Sequence, residues 1–94
     1  MQETIHVEVT QADIDAANEV RKNRVTFDLC GKCPIARAAT RATNRTVRVG
    51  EETLHAERGM GYDIWYLSDE ARRWRQAWDA EDAVLPFSFD AQSE

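Results

Sequence analysis

Two hydrophobic periodicities follow one another along the chain, and their order restricts the fold more than any single motif does. Apolar residues at every second position indicate strands with one buried face, and they occur near residues 5–9, 47–49, 54–56, 62–67 and 87–89. Apolar residues at helical spacing indicate amphipathic helices, and they occur near residues 11–20, 34–42 and 67–78. A further alternation at Val25, Phe27 and Leu29 predicts a short strand or an extended loop.

This order contains no repeated strand–helix unit of the length that parallel strands need for a crossover. It therefore predicts an α+β fold, in which a small, mainly antiparallel sheet of about four to five strands carries about three helices on one face. The aromatic-rich run from Tyr62 to Leu67 is the candidate for the central strand. Pro86 predicts that the last strand lies at a sheet edge, or that the proline stands at the strand's start. We expect residues 1–94 to form a single domain.

Three of the expected helices begin with capping residues. Thr10 is followed three residues later by Asp13, an arrangement like a capping box. Pro34 suits the first helical position, where its missing N–H is no loss, and it places Cys33 at the cap. Ser68 precedes two acidic residues, whose charges suit the positive end of a helix dipole. The helix starts are therefore the best defined boundaries in the sequence.

The start of the chain and its hydropathy indicate a cytoplasmic protein. No segment approaches the roughly 20 apolar residues of a membrane helix. The opening MQETIHVEV alternates apolar with polar residues instead of forming the core of a signal peptide. We therefore expect no membrane partner. A domain of this size buries only roughly 60 to 65% of its unfolded surface, so association into a homodimer is an open alternative.

The charges are segregated along the chain. Residues 1–20 hold five acids and no lysine or arginine, and residues 21–48 hold eight basic residues against Asp28 alone. Residues 49–94 hold eleven acids against four arginines. Two interpretations are open: the basic segment forms a binding face, or oppositely charged segments fold against each other and neutralise their fields.

Two arginines of the basic segment are candidate binding residues. Arg37 and Arg41 lie one turn apart on the polar side of the second helix, and arginine forks suit phosphate groups. Nucleic-acid binding through residues 21–48 is therefore an alternative function. The formal charge of the whole chain is −5, however, whereas nucleic-acid-binding domains tend to be basic. We accordingly assign Arg37 and Arg41 to a protein-binding surface and do not expect nucleic acid as the partner.

The spacing of Cys30 and Cys33, a C-x-x-C sequence, suits a redox pair or half of a zinc site. A thioredoxin-type pair has its first cysteine at a helix start, whereas Pro34 leaves Cys30 ahead of the helix. Neither His6 nor His55 has the spacing of a zinc-finger ligand. A thiol–disulfide or zinc-binding function is kept as an alternative, and we expect no metal and no cofactor.

Catalytic motifs of other kinds do not occur in the sequence. It contains no G-x-S-x-G, no H-E-x-x-H and no glycine-rich phosphate loop. The acidic residues are scattered singly or in pairs. We therefore expect a protein that is not an enzyme and that has no catalytic residues.

The three tryptophans divide between core and surface. Helical spacing places Trp74 and Trp78 on the apolar side of the last helix, so both are expected in the core. Trp65 and Leu67 lie on the face of their strand opposite to Tyr62. If that face is uncovered, Trp65 and Leu67 form an exposed apolar patch that binds a partner or a second copy.

The chain resembles a family of small proteins from phages of actinobacteria in the segments VTQADI, CPIARA, WDA and VLPFSF. That family combines a first strand ending in V-T with a following I, a C-P-[IV]-A-x-A helix start and a terminal F/W-D…V-x-P-F-x-F segment. The resemblance runs almost end to end, except around residues 21–25 and 57–62. It implies a small phage-encoded protein of no agreed activity. It further implies a non-catalytic interaction module that acts on a host or defence protein in the host cytoplasm.

Overall fold

The computed structural model describes residues 3–23 and 33–93, which form three helices and five strands. In chain order these elements are β1 (Thr4–Val9), α1 (Gln11–Asn23), α2 (Pro34–Thr43), β2 (Val47–Val49), β3 (Thr53–Arg58), β4 (Gly61–Tyr66), α3 (Asp69–Asp79) and β5 (Phe87–Ser93). The strand pairings are antiparallel, and the helices lie on one face of the sheet. The predicted α+β fold is therefore confirmed. The strand or loop predicted at Val25, Phe27 and Leu29 lies outside the described residues.

The five strands form one sheet in the order β1-β5-β4-β3-β2. β4 is the middle strand, as its aromatic-rich sequence predicts. β5 lies between β1 and β4, so the prediction of a sheet edge for the last strand is wrong. The other prediction, that Pro86 stands at the strand's start, is correct. Because Pro86 immediately precedes Phe87, its missing N–H removes no bond from the ladder.

The register of the strands brings their apolar residues together on one face. Val7 lies opposite Phe89 and Leu54 lies opposite Trp65, and all four side chains are buried. α2 covers this face with small and branched side chains that are also buried: Ile35, Ala36, Ala38 and Ala39. The alanines let the helix lie close to the sheet, which explains how a chain this short encloses a core.

β4 and β5 are staggered. Six residues of β4 pair with β3, whereas among the described residues two of them, Trp65 and Tyr66, pair with β5, where they lie opposite Ser93 and Gln92. The pairing with β5 thus involves the end of β4 that leads to α3. Trp65 and Tyr66 therefore lie between two described strands, β3 and β5.

The predicted caps are present at the three helix starts. The N–H of Thr10 donates to Asp13 Oδ2 at 3.0 Å, and the N–H of Asp13 donates to Thr10 Oγ1 at 3.2 Å. Cys33 Sγ and Ser68 Oγ each accept from the N–H three residues on, at 3.4 and 3.2 Å. These bonds satisfy amide groups that a helix start otherwise leaves without partners.

α1 and α3 meet at Trp78, which is buried as predicted. Its indole N–H donates to Asn18 Oδ1 at 2.8 Å, and the guanidinium of Arg21 lies 4.0 Å from the centre of its ring. Arg21 also donates to the carbonyl of Trp78. Trp74, the other predicted core residue, is partly buried and stacks on Phe87 at 4.7 Å between ring centres. None of the helices in the described ranges is long and apolar enough to cross a bilayer.

Candidate functional site

The apolar patch predicted at Trp65 and Leu67 is not exposed. Trp65 is 1% exposed and Leu67 is 7% exposed, because both side chains lie on the face of β4 that the helices cover. The patch was predicted on the condition that this face of the strand is uncovered, and the face is covered. The sequence could not choose the covered face, since β4 carries large apolar side chains on both sides.

The opposite face of β4 presents a row of exposed apolar side chains. Met60 at the hairpin turn is fully exposed, and Tyr62, Ile64 and Tyr66 are 56%, 41% and 45% exposed. Because alternate residues of a strand share one face, Tyr62, Ile64 and Tyr66 form a line about 13 Å long, and Met60 stands in the turn just before the strand. We call the line Met60–Tyr62–Ile64–Tyr66 the β4 row. Its members are four of the five exposed large apolar side chains in the described ranges.

The turn between β3 and β4 holds Met60 away from the protein. Arg58 and Gly61 form the last pair of the hairpin, so Gly59 and Met60 make a two-residue turn. Gly59 has a φ of +54°, which suits the first turn position of a type II′ hairpin, where glycine carries no steric penalty. The turn therefore adds Met60 to the end of the β4 row.

Polar residues of mixed charge flank the β4 row. On β3, Thr53 and His55 lie beside it, and Thr53 Oγ1 is 2.7 Å from His55 Nε2. The His55 and Tyr62 rings contact each other, with centres 6.2 Å apart. Farther across the sheet, His6 Nδ1 lies 2.8 Å from Asp90 Oδ1. An apolar line with a polar border is the usual anatomy of a protein interface.

The two arginines predicted at a binding surface do not join this row. Arg37 and Arg41 lie on α2, which packs on the covered face of the sheet. Arg37 is exposed. Arg41 donates to both carboxylate oxygens of Asp13, each at 2.8 Å. Part of the positive charge of residues 21–48 is therefore neutralised inside the protein, which favours the second of the two interpretations of the charge pattern.

A second arginine of the basic segment, Arg45, also forms an ion pair with an acidic residue. Arg45 Nη1 donates to Asp63 Oδ2 at 2.6 Å, and Arg58 Nε lies 3.3 Å from the other oxygen of the same carboxylate. The hydrogen bond from Arg45 lowers the pKa of Asp63. The Arg45 guanidinium also lies 5.3 Å from the centre of the Trp65 ring. These contacts connect the basic segment to β4 on its covered face.

Cys33 is enclosed and serves as a helix cap. It is 1% exposed, and burial raises the pKa of its thiol above the ordinary value. The N–H of Ala36 and the guanidinium of Arg75 offset only part of this rise. Its partner in the motif, Cys30, lies outside the described residues, and no cluster of metal-ligating side chains occurs within the described ranges. Cys33 has the surroundings of a structural thiol, because reactive cysteines are partly exposed with a lowered pKa.

Two shallow depressions adjoin each other on α3. One, of 290 Å³, is lined by Asp69, Arg72, Arg73 and Gln76, and the other, of 230 Å³, is lined by Glu51, Arg72, Arg75, Gln76 and Asp79. Their arginines face acids within the same lining, with Arg72 3.6 Å from Asp69 and Arg75 3.7 Å from Asp79. Taken together, the two linings hold three acids and three arginines, so their charges balance, and they present no acid–base pair or nucleophile poised for catalysis.

Comparison with protein-family models, with curated proteins and with solved structures finds no match to this chain. The functional argument therefore depends on the residues themselves. The sequence predicted an exposed apolar patch at Trp65 and Leu67, whereas the exposed apolar side chains of this strand lie on its other face. The signal it missed is that Met60 continues the spacing of Tyr62, Ile64 and Tyr66 past the end of the strand.

Proposed function

We propose that this protein is a non-catalytic interaction module that binds a partner protein through the β4 row. The observation that carries the proposal is the concentration of exposed apolar side chains in one line on an otherwise polar sheet face. Tyrosine and methionine are enriched in protein interfaces. Exposed apolar side chains that lie next to one another commonly mark interaction sites.

Two features favour this function over the alternatives. The basic segment places Arg41 and Arg45 in contacts with Asp13 and Asp63, which reduces the charge offered to a nucleic acid. Cys33 lies in the core, where a thiol is inaccessible to a substrate. In keeping with the resemblance described above, we propose that the partner is a host or defence protein in the cytoplasm of an actinobacterium.

Affinity capture with matched variants tests the proposal. The wild-type protein is immobilised and exposed to a lysate of an actinobacterial host, beside the double variant Tyr62→Ser/Tyr66→Ser. The control is Leu85→Ser, because Leu85 is 78% exposed and lies outside the β4 row. We expect a stoichiometric partner on the wild type and on the control, and its loss from the double variant. Equal capture by all three baits would contradict the proposal, as would no capture by any of them.

A further inference from the structure

The ring of Tyr62 is held from one side by His55. The two ring centres lie 6.2 Å apart, and the ring planes are tilted by 54°. This separation falls within the range of about 4.5–7 Å in which aromatic rings attract each other. Because 56% of Tyr62 is exposed, much of its ring stays accessible. Tyr62 is thus a side chain of the β4 row that is supported on one side and open to a partner on the other.

The strand register explains why the two rings meet. Glu57 lies directly opposite Tyr62, and Ile64 lies directly opposite His55. His55 and Tyr62 are therefore diagonal neighbours on one face of the sheet, a separation that aromatic side chains can span. Their contact joins the β4 row to the exposed face of β3.

His55 is itself fixed by a second contact. Thr53 Oγ1 lies 2.7 Å from His55 Nε2, and the two side chains share a face because they are two residues apart on β3. A hydrogen bond at this distance restricts how the imidazole turns. Threonine is branched at Cβ, so its own side chain has few orientations. Thr53, His55 and Tyr62 therefore form a chain of contacts that ends at a ring of the β4 row.

A ring that is held in place before binding lowers the cost of binding. Association costs free energy when a side chain that moves in the free protein must adopt one orientation in the complex. A ring that already has this orientation avoids part of the cost, which is why rigid aromatic anchors contribute strongly to binding. Without His55, the half-exposed ring of Tyr62 would have one neighbour fewer to restrict it.

We propose that His55 is a positioning residue of the β4 row, because it holds the Tyr62 ring in the orientation in which the partner protein binds it. His55 acts through Tyr62, and direct contact between His55 and the partner is not required. This inference rests on the proposed function and adds to the binding site a polar residue that lies beside the row.

The second histidine of the sequence provides a matched control. His6 lies on the same sheet face, where 63% of its side chain is exposed and its Nδ1 is 2.8 Å from Asp90 Oδ1. β5 separates the strand of His6, β1, from β4. The variant His6→Ala therefore removes an imidazole from this face without removing a neighbour of Tyr62.

Capture from a dilution series of actinobacterial host lysate measures the effect on binding. Each variant of the full chain is immobilised, and the lysate concentration that gives half-maximal capture of the partner is recorded. We expect His55→Ala to need about three- to tenfold more lysate than the wild type and His6→Ala to stay within about twofold of it. His55→Phe keeps an aromatic ring beside Tyr62, so it should bind closer to the wild type than His55→Ala does.

A double-variant cycle distinguishes positioning from direct contact. Tyr62→Leu keeps an apolar side chain, so that capture stays measurable, but it has no ring for His55 to hold. In the Tyr62→Leu background, His55→Ala should change the half-maximal lysate concentration by less than about twofold. An effect as large as in the wild-type background would mean that His55 acts independently of Tyr62.

Nuclear magnetic resonance on the free full chain tests the ring contact without a partner. In the wild type, the ring protons of His55 and Tyr62 should show a nuclear Overhauser effect, and this measurement needs no variant to fold. With isotope-labelled tyrosine, the ring signals of Tyr62 should shift in His55→Ala, because the neighbouring imidazole is lost. The same signals should stay in place in His6→Ala.

Any of several results would overturn the inference. They are capture by His55→Ala at the wild-type lysate concentration, an equal loss in His6→Ala, an undiminished effect of His55→Ala in the Tyr62→Leu background, and the absence of the ring-to-ring Overhauser effect. Each of them leaves the proposed function standing. That function fails separately, if Tyr62→Ser/Tyr66→Ser captures the lysate partner as well as the wild type does. Capture of nothing by any of the variants or by the wild type would overturn both.

Discussion

Arg41 binds the carboxylate of Asp13 with both of its terminal nitrogens, each at 2.8 Å. Asp13 is nearly buried, with 4% of its side chain exposed, whereas Arg41 is 54% exposed. Arg41 Nη2 also donates to the carbonyl of Glu8, and the hydroxyl of Thr10 donates to Asp13 Oδ2 at 3.1 Å. The pair therefore connects the end of β1, the start of α1 and the outer side of α2.

Replacing Arg41 should destabilise the protein, whereas replacing Arg37 should not. Arg41→Ala leaves the buried carboxylate of Asp13 without its charged donor, so we expect the free energy of unfolding to fall by about 1–3 kcal/mol. Arg37→Ala removes an exposed side chain one turn earlier on the same helix and should change it by less than about 0.5 kcal/mol. Urea denaturation of both variants checks the prediction. Equal losses would mean that the Asp13–Arg41 bridge contributes nothing specific.

The same bridge should make stability depend on pH. Burial raises the pKa of Asp13, but hydrogen bonds from Arg41 and Thr10 outweigh it and hold the pKa below its ordinary value. The folded state thus favours the ionised form. The ionised carboxylate of Asp13 therefore contributes fully to the free energy of unfolding above the pKa of an unfolded aspartate, about 3.9. This contribution is lost as the pH falls through the lower pKa of Asp13 in the folded protein.

Denaturation from pH 7 down to pH 2 measures this contribution as the difference in stability between the wild type and Asp13→Asn. We expect a constant difference above about pH 5 that shrinks below about pH 4. Taking the difference removes the effect of other carboxylates, including Asp63. A difference that stays constant down to the lowest pH would show that the charge of Asp13 does not stabilise the fold.

Local chemistry explains how much of the fold was predictable. The capping box at Thr10, the cap at Cys33 ahead of Pro34 and the cap at Ser68 depend on a few adjacent residues. The alternation of Ile5, Val7 and Val9 likewise identifies β1. Features of this kind can be predicted because their physical causes lie within one turn or one strand.

Long-range contacts explain what was not predictable. The insertion of β5 between β1 and β4 depends on pairings such as His6 with Asp90, which are far apart in sequence. The stagger between β4 and β5 depends on which residues of β5 meet Trp65 and Tyr66. The exposed face of β4 depends on where α2 packs, because either face of that strand could have formed a core.

Residues on the two faces of β4 should differ in how much they contribute to stability. Trp65→Ala creates a cavity in the core and should cost about 3–5 kcal/mol. Tyr62→Ala removes a half-exposed ring and should cost less than about 1 kcal/mol. Thermal denaturation followed by circular dichroism compares the two. A large loss for Tyr62→Ala would mean that the β4 row maintains the fold and is not reserved for a partner.

Cys33 should be unreactive while the protein is folded. In a Cys30→Ser variant, which leaves Cys33 as the remaining thiol, labelling by a disulfide reagent should be at least about a hundredfold slower than in urea. Burial, which raises the pKa of this thiol, limits both access and the thiolate fraction. If Cys33 were labelled without denaturant as fast as in urea, the thiol would be accessible in the folded protein. That result would support a thiol–disulfide or zinc-binding function.

Hydroxyl-radical footprinting of the protein, free and with its captured partner, tests most directly whether the β4 row is the binding surface. In the free protein we expect Met60, Tyr62 and Tyr66 to be oxidised readily and Trp65 to be protected, as their exposures require. In the complex, oxidation of the first three should fall at least about fivefold, the loss expected of side chains at the centre of an interface. Unchanged oxidation of all three in a stoichiometric complex would contradict the account.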